Sequence, residues 1–446
     1  MRRRDLLLAI AIGAVLAPAG LACNTVAAGP APRELAPANG PQGARPALPQ
    51  RSIAVRAERL HTMAGPVIED GVVWIENGLV RAVGPAGSIE LPAGIEILTA
   101  KVATPGLVDA HTVVGLAGWL NEDADKDELD TTAAMQPELR ALDAYNPNEP
   151  LVGWVRSFGV TTVHTGHAPG ALISGQTLIA KTRGDTVEAA VMVPDAMVTA
   201  ALGDGARGGF GAPGSRARAA AMLRQELHAA ARWTEDRARD AAKEPEEGET
   251  TPTPARDLRK EALARVLAGE VPLLLTAHRA HDLMTALRIA EEFPNVRLIL
   301  DGASEAPLVI DAIRAAGVAV IVHPTMRRTG GESEALAFTT PQRLLDAGIP
   351  TALQSGYEDY VPRTRVVLFE AAIAARYGLE FERALGLITK DAAALLGIAD
   401  RVGTLEVGKH GDVALFDGDP FEYTSHCTAV VIEGERFAGE NAQGIR

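Results

Sequence analysis

Short, unbroken runs of apolar residues recur along most of this 446-residue chain, with helix-length segments between them. Eight runs follow residue 104: LVDAH, VTTVHTGH, QTLIAK, EAAVMV, VPLLLTAH, VRLILDGA, VAVIVHP and IPTALQSG. Unalternated, β-branched runs are typical of parallel strands that are buried on both faces. Amphipathic segments such as AHDLMTALRIAEEF and APLVIDAIRAAG predict helices between them. The alternation predicts an α/β fold with a (β/α)8 TIM-like barrel over residues 104–402.

The two ends of the chain have a different pattern. SIAVRAERLHT, GVVWIENGLVRAVG and GIEILTAKV precede the barrel, and RVGTLEVGKHGDVALFDGDPF and CTAVVIEGERF follow it. Short strands separated by glycine and proline turns are typical of a small β unit. We expect residues 51–103 and residues 403–446 to pair as one small β-sandwich domain beside the barrel.

Residues 203–270 do not follow the strand and helix alternation. They contain a glycine-rich loop, the charged helical segment ARAAAMLRQELHAAARWTEDRARDAAK and the acidic stretch EPEEGETTPTP. Low hydrophobicity and high charge predict disorder in that last stretch. We interpret the whole segment as a helical and acidic insertion in the barrel.

The chain begins with RRRDLLLA, a basic stretch followed by an apolar run and small residues. This order predicts an export signal over residues 1–28, and the proline- and alanine-rich residues 29–50 predict a linker. Both the twin-arginine and the general secretory route remain open. The apolar run is short for a membrane span. A lipid anchor at Cys23 is disfavoured by Gly20 in the GLAC sequence, and the expected location is the periplasm or the cell surface.

Composition narrows the classes of function. The chain is 47% hydrophobic and 22% charged, which is typical of globular proteins, and its net charge of −14 argues against nucleic-acid binding. Cys23 and Cys427 are the only cysteines, which excludes a disulfide framework and a cysteine zinc site. Composition does not indicate an oligomeric state.

Histidines are concentrated where the predicted barrel strands end. Six of the ten histidines lie there, and Lys181 ends QTLIAK: the histidines are His111, His164, His167, His278, His281 and His323. Active sites of such barrels form at the carboxyl ends of the strands, and imidazole is a common metal ligand. Each residue also has a structural interpretation, as a turn cap or a loop hydrogen-bond partner. A lysine at a strand end is costly to bury unless it is paired or modified.

Several longer motifs carry a family resemblance: TPGLVDAHT, GVTTV, ISGQTLIAK, LTAHRAHDLMTALRIAEEF, DRVGTLEVGKHGDVALFDGDP and AVVIEGERF. On these motifs the chain resembles the amidohydrolase superfamily, in its imidazolonepropionase-like branch, over residues 51–436. The resemblance implies a metal-dependent hydrolase that cleaves non-peptide C–N bonds of small amides or cyclic amides. It also implies a barrel accompanied by a β domain that is assembled from both chain ends.

The metal ligands implied by the resemblance are incomplete in this chain. The family has His-x-His after strand one, whereas here His111 is followed by Val113. The first histidine of the strand-five pair is replaced by Thr276, and the strand-six histidine by Gly302. The strand-eight aspartate, which takes a proton from the attacking water, falls on Gly356. A binuclear metal centre is therefore not expected.

One hypothesis is a rearranged site with one zinc or manganese ion. The resemblance assigns His111 and His278 as ligands, with Lys181 matching a lysine that is carboxylated in some relatives. The set His164, His167 and His323 offers substitutes for the missing third ligand that a catalytic zinc needs. Glu358 or Asp359 would act as the base.

The alternative hypothesis is a catalytically inactive, exported binding or scaffold protein on the amidohydrolase fold. In this case no metal is bound, and the pocket holds a small, acidic molecule or a partner. The residues expected to line that pocket are Arg279, Arg327, Arg328, Tyr357 and His323.

Overall fold

The computed structural model describes residues 51–119, 122–242, 255–326, 329–358 and 364–439. The predicted export signal, the linker and the acidic stretch EPEEGETTPTP lie outside the described residues, as do the predicted site residues Arg327, Arg328 and Asp359. Among the described helices, none is long and apolar enough to span a membrane.

Strands and helices of the described chain follow each other in a mixed order. The strands are β1 Ser52–Leu60, β2 Ile68–Glu76, β3 Leu79–Pro85, β4 Glu96–Pro105, β5 Leu107–Thr112, β6 Val160–Thr165, β7 Ile173–Gln176, β8 Leu178–Lys181, β9 Val191–Val193, β10 Val198–Ala201, β11 Leu273–Ala277, β12 Leu298–Gly302, β13 Ala319–Val322, β14 Thr351–Leu353, β15 Val413–Phe416, β16 Cys427–Ile432 and β17 Glu435–Ala438. The helices are α1 Pro150–Ser157, α2 Val187–Ala190, α3 Arg216–Ala241, α4 Leu258–Leu267, α5 Ala280–Glu292, α6 Ile310–Ala316, α7 Thr340–Asp346, α8 Val367–Arg376, α9 Phe381–Gly386 and α10 Lys390–Leu395.

Strands from the two ends of the chain share one sheet. Its order is β17-β16-β15-β4-β1-β2-β3, and it is antiparallel except for the parallel pair β1 and β4. The two ends meet where β4 pairs with β15, with Thr104 opposite Ala414. Pairing of the two chain ends was expected from the sequence. The predicted sandwich is not confirmed, because these described strands form a single seven-stranded sheet.

The strands between the chain ends form two further sheets. A six-stranded sheet has the order β14-β13-β12-β11-β10-β7, in which β10 to β14 are parallel and β7 is antiparallel. A four-stranded sheet has the order β5-β6-β8-β9, in which only β5 and β6 are parallel. The fold is therefore α/β as predicted, but its described strands do not form one closed barrel of eight parallel strands.

The segments QTLIAK and EAAVMV differ from the prediction in strand direction. QTLIAK contributes the end of β7 and all of β8, which runs antiparallel to β6, and β9 runs antiparallel to β8. Only Thr177 separates β7 from β8, and α2 is the only helix between β8 and β9. A parallel pair needs a crossover of about a dozen residues or more, and residues 182–190 between β8 and β9 are too few for one.

Backbone hydrogen bonds join the two sheets at two places. The Gly356 amide donates to the His111 carbonyl oxygen at 3.0 Å, beside a parallel bridge between Thr112 and Gly356. At the other side, the Thr177 amide donates to the Met197 carbonyl oxygen at 2.9 Å. The ends of β5 and β14 are thus held next to each other.

Apolar side chains of the parallel strands divide into two clusters. A larger one packs the strands against the surrounding helices. The second, here called the inner apolar cluster, combines strand residues with α10, and it includes Val108, Ala110, Leu274, Ile299, Ile321, Ala352, Leu395 and Leu396. Side chains alternate between the two faces of a strand. A residue two positions after a member of this cluster therefore lies on the same inner face.

The helix expected within residues 203–270 is α3, and it lies between the strands β10 and β11 in the chain. It begins after its N-cap Ser215, and none of its buried residues lies beyond Ala230: they are Ala219, Ala220, Leu223, Leu227 and Ala230. Together with α4 it connects the parallel strands β10 and β11. The helical part of the segment is thus the crossover that this parallel pair requires.

An ion pair between Lys181 and Asp412 links the four-stranded sheet to the sheet of the chain ends. Lys181 ends β8 and is 0% exposed, and Asp412 directly precedes β15. The Lys181 ammonium also donates to the Thr162 hydroxyl at 3.2 Å, and the Asp412 carboxylate accepts from the Glu433 amide at 3.1 Å. Hydrogen bonds on both sides are what a buried ion pair needs to offset its desolvation.

We predict that Lys181→Met lowers the free energy of unfolding by about 3–5 kcal/mol, because it leaves the Asp412 carboxylate buried without its cation. The double variant Lys181→Met, Asp412→Leu should recover most of that loss. Urea unfolding measures both. Lys101→Met, at an exposed lysine of β4, is the control and should change stability by less than about 0.5 kcal/mol. Equal stabilities of the two lysine variants would contradict a structural role for Lys181.

Candidate functional site

A polar layer lies directly above the inner apolar cluster, at the carboxyl ends of the parallel strands. Thr276 lies two positions after Leu274 of that cluster, and Asp301 lies two positions after Ile299. Gln354 follows Ala352 by the same interval. The alternation of strand side chains thus turns all three polar side chains to the inner face.

Asp301 is the centre of this polar layer. Its carboxylate accepts from the Thr276 hydroxyl at 2.6 Å and from the Gln354 amide at 2.6 Å, and it lies 3.3 Å from His111 Nδ1. Burial by itself raises the pKa of the Asp301 carboxyl, but the charge of His111 and the hydrogen bonds from these partners outweigh burial. The pKa of Asp301 is therefore held well below its usual range, and the carboxylate stays charged.

His111 reaches this layer because the register of β5 and β6 is irregular between Asp109 and Thr112. The side chain is 4% exposed, and its Nε2 is buried without a hydrogen-bond partner. Its ring centroid lies 5.4 Å from that of His164. The structure thus places His111 inside the layer, as an ion-pair partner of Asp301.

His164 has both ring nitrogens engaged by the protein. Nδ1 is 2.6 Å from the Ala110 carbonyl oxygen, and Nε2 is 2.7 Å from the Thr177 hydroxyl. A carbonyl accepts only, so Nδ1 carries the proton and Nε2 accepts from Thr177. Burial, and next the charge of His111, lower the pKa of His164 to about 3. This neutral, doubly hydrogen-bonded imidazole has no lone pair left for a metal in this arrangement.

His278 and His323 lie side by side at the ends of β11 and β13, with ring centroids 5.1 Å apart. The His278 Nδ1 is 2.7 Å from the Ser304 hydroxyl, and the His323 Nδ1 is 2.9 Å from the Pro324 carbonyl oxygen. His278 is partly buried and His323 is buried. These two histidines are a second pair of predicted ligands that the structure brings together, besides His111 and His164.

Val113, at the position of the second histidine of His-x-His, is part of an apolar cluster. It is 1% exposed and packs with Ala117 and Ala168, with Leu129 and Tyr357 against them. Burying apolar surface here is favourable. The position implied for a metal ligand is instead occupied by hydrophobic packing, and Tyr357, predicted to line a pocket, contributes to it.

Lys181 is not brought to the other predicted ligands. Because β8 is antiparallel to β6, Leu178 lies opposite Thr165 and Lys181 lies opposite Thr162, nearer the start of β6. Lys181 is thus at the far end of the strand from the polar layer and pairs with Asp412. The sequence prediction placed it at the carboxyl ends because it assumed a parallel strand.

His167 is buried beside Gly175 of β7, where a β-carbon on the glycine would come within 2.4 Å of the imidazole ring. Burial lowers the pKa of His167 to about 4. Across the described ranges, no three His, Cys, Asp or Glu side chains are grouped so that they could hold a metal ion. His167 therefore does not complete a site with His111 or His278.

The predicted base and the predicted anion-binding residue are both ion-paired. Glu358 lies 3.0 Å from Arg365, and Arg279 lies 2.9 Å from Glu305. His281 is on the exposed side of α5, with Nε2 3.6 Å from Asp282. The charge of each of these side chains is thus balanced within the protein.

Gly302 and Gly356, at two implied ligand positions, have left-handed backbone conformations with φ of 82° and 68°. A β-carbon at residue 302 would lie 2.8 Å from His278 Cε1, and one at residue 356 would lie 2.6 Å from Pro324 Cγ. This backbone conformation is unfavourable for residues other than glycine, because their β-carbon clashes with the backbone. The backbone at both positions therefore no longer accommodates a histidine or an aspartate without rearrangement.

Asp109 and Ser355 form a second buried contact between β5 and the end of β14, which the sequence analysis did not identify. The Ser355 amide donates to Asp109 Oδ1 at 2.9 Å, and the Ser355 hydroxyl donates to Oδ2. Burial raises the pKa of Asp109 to about 7 against these hydrogen bonds. Gln354 was also missed, and only its spacing of two residues from Ala352 could have indicated it.

Comparison with known proteins identifies the family. The model of the Amidohydrolase family matches residues 151–438, about two thirds of the chain. This chain belongs to the amidohydrolase family. Its members are hydrolases, and the family resemblance inferred from the motifs is thereby confirmed.

Individual relatives of this amidohydrolase-family chain differ in coverage. Amidohydrolase tasK of Hapsidospora irregularis is 26% identical over 82% of this chain, which spans 39% of that protein. An imidazolonepropionase of Geobacillus kaustophilus is 38% identical over 84 residues, 14% of this chain and 20% of its own length. The structure of an amidohydrolase from Thermotoga maritima matches with 28% identity and a TM-score of 0.78, over 87% of this chain and 100% of that one.

A zinc-bound adenosine deaminase from Xanthomonas campestris matches with 17% identity and a TM-score of 0.50, over 87% of this chain and 93% of that one, which shows the shared fold alone. Zinc nonetheless raises the question of whether the residues here fit a metal. Both ring nitrogens of His164 are hydrogen-bonded to protein groups, and so is the Asp301 carboxylate. Lys181 lies at the other end of its strand and pairs with Asp412. A catalytic zinc needs three protein ligands. The described residues do not fit such a centre.

We predict that Asp301→Ala lowers the free energy of unfolding by about 3–5 kcal/mol, because it removes the charge beside His111 and leaves Thr276 and Gln354 without their acceptor. Thermal or urea unfolding measures the loss. Asp311→Ala, at an aspartate of α6 that is 84% exposed, is the control and should change stability by less than about 1 kcal/mol. Unchanged stability of Asp301→Ala would show that the polar layer does not depend on this carboxylate.

Proposed function

We propose that this chain has kept the amidohydrolase fold and lost its metal-dependent hydrolysis, and that it acts as a binding or scaffold protein. The observation that carries the proposal is the buried Asp301 carboxylate. It holds His111, Thr276 and Gln354 together where the resemblance implies metal ligands. The charges of this layer are balanced by protein groups alone.

The implied ligand positions support the proposal independently of Asp301. Val113 packs in an apolar cluster, and Gly302 and Gly356 have backbone conformations that disfavour other side chains. Thr276 serves as a hydrogen-bond donor. Four of the implied ligand positions, and not one alone, thus have side chains that are not metal ligands of the implied kind.

The ligand class follows from the family. Relatives named as amidohydrolases and imidazolonepropionases suggest a small amide or cyclic amide. Recognition of an acidic group stays a prediction for Arg327 and Arg328, because Arg279 already pairs with Glu305. A small-molecule ligand is thus the first class to test.

The proposal also includes the barrel, the β domain and the export that the sequence predicts. We propose that the two sheets between the chain ends together form a TIM-like barrel, supported by the Gly356–His111 hydrogen bond and the Thermotoga maritima match. Residues 51–103 and 403–446 would form the accompanying β domain. We also propose export to the periplasm or the cell surface, on the basis of the RRRDLLLA start.

A rearranged hydrolase is the second candidate, favoured by the neighbouring rings of His278 and His323. Each has its Nδ1 engaged, by Ser304 or by the Pro324 carbonyl. Such outer partners orient the histidines of metal sites. A catalytic zinc needs three protein ligands, and these two histidines supply only two of them. The rearranged hydrolase therefore needs a further ligand. Its reaction would be hydrolysis of an amide or cyclic amide C–N bond.

Metal content of the untagged mature chain, produced with added zinc and manganese, tests the two candidates. We expect well below one metal ion per chain and no rise in melting temperature on adding either metal, because a ligand of the native state would raise it. Hydrolysis of amides and cyclic amides that depends on added zinc or manganese should be undetectable. One bound metal per chain, lost in His278→Ala and His323→Ala but kept in His281→Ala, would overturn the proposal in favour of the rearranged hydrolase.

A further inference from the structure

We propose that Ser304 and His278 form a nucleophile–base pair that can accept an acyl group from a small activated ester or amide without a metal. The pair lies at the carboxyl ends of the neighbouring strands β11 and β12. Its activity would be separate from the ligand binding proposed above, which does not require a covalent step.

The contact between the two side chains has the geometry of an activated nucleophile. Ser304 Oγ lies 2.7 Å from His278 Nδ1. Hydrogen-bond contact between a hydroxyl and a neighbouring base is the arrangement by which serine becomes nucleophilic. Ser304 is 2% exposed and His278 is partly exposed, so the base is the more accessible member of the pair.

The backbone that presents Ser304 is unusual. Gly302 and Ala303 both have left-handed conformations, with φ of 82° and 54°. Such a conformation is unfavourable for an alanine, and strain of this kind is concentrated at functional sites. The Ala303 amide donates to the Ala277 carbonyl at 2.8 Å, and the Glu305 amide donates to the His278 carbonyl at 2.9 Å. Two backbone hydrogen bonds thus join the turn that contains Ser304 to the segment that contains His278.

Gly302 also makes room for the imidazole. A β-carbon at this position would lie 2.8 Å from His278 Cε1. The absence of a side chain at the position implied for a metal ligand therefore allows His278 to approach the Ser304 turn. The contact between His278 and Ser304 is thus compatible with glycine at residue 302.

The chemistry balances within the pair and the acyl donor. Ser304 Oγ bonds to the carbonyl carbon while its proton passes to His278 Nδ1, with the ring proton on Nε2. The bond from that carbon to the oxygen or nitrogen of the leaving group breaks, and the leaving group takes the proton from His278. The oxygen of a water molecule then bonds to the acyl carbon while one of its protons passes to His278. The bond from that carbon to Ser304 Oγ breaks, the carboxylic acid is released, and His278 returns the proton to Ser304. A base in this role contributes about 100- to 10,000-fold to the rate.

Labelling with a small fluorophosphonate in the presence of EDTA tests the pair. We expect mass spectrometry to find the phosphonyl group on Ser304 of the wild-type chain, and no label at this site in Ser304→Ala. His278→Gln should slow labelling by about 100-fold, because the base is lost. Ser333→Ala, at a serine whose hydroxyl donates to the Gly330 carbonyl, is the matched control and should label like the wild type.

Two results would overturn the proposal: no label on Ser304 in folded wild-type protein, or an unchanged labelling rate in a folded His278 variant. Melting temperatures establish that each variant is folded, and His278→Asn replaces His278→Gln if the glutamine variant does not fold. EDTA separates this test from the metal measurement. A metal-free protein that labels supports both proposals, whereas a metal-free protein that does not label contradicts this one alone.

Discussion

The Asp301 carboxylate carries a negative charge in a place from which water is largely excluded, and the surrounding strand ends are arranged to compensate it. His111 Nδ1 lies 3.3 Å from the carboxylate, and Thr276 and Gln354 donate hydrogen bonds to it. An uncompensated buried charge costs several kcal/mol. The groups that meet at the carboxyl ends of β5, β11, β12 and β14 therefore depend on this carboxylate.

A second buried charge constrains the opposite end of the structure. Lys181 pairs with Asp412 where β8 meets the sheet of the chain ends. This ion pair explains how a lysine can be fully buried without modification or metal. The sequence analysis grouped Lys181 and His111 as ligands of one metal site. In the structure His111 lies in the polar layer, whereas Lys181 forms an ion pair at the other end of the strands.

The remodelled strand ends show how a fold can persist while its site changes. Val113 packs in an apolar cluster, and Gly302 leaves space in which His278 approaches Ser304. The inner apolar cluster beneath, closed by α10, needs no contribution from these positions. The packing of the fold and the implied ligand positions therefore involve different residues, and a fold does not by itself fix a function.

The sequence by itself determined the α/β class, the pairing of the two chain ends, the family and the absence of the implied ligands at Val113, Thr276, Gly302 and Gly356, because period and motif are local properties. The direction of QTLIAK depended on connection lengths and on pairing with β6, and only the tertiary structure decided it. The partners of Asp301 come from strands far apart in the chain. No local pattern encodes such contacts, because they form only when the strand ends converge.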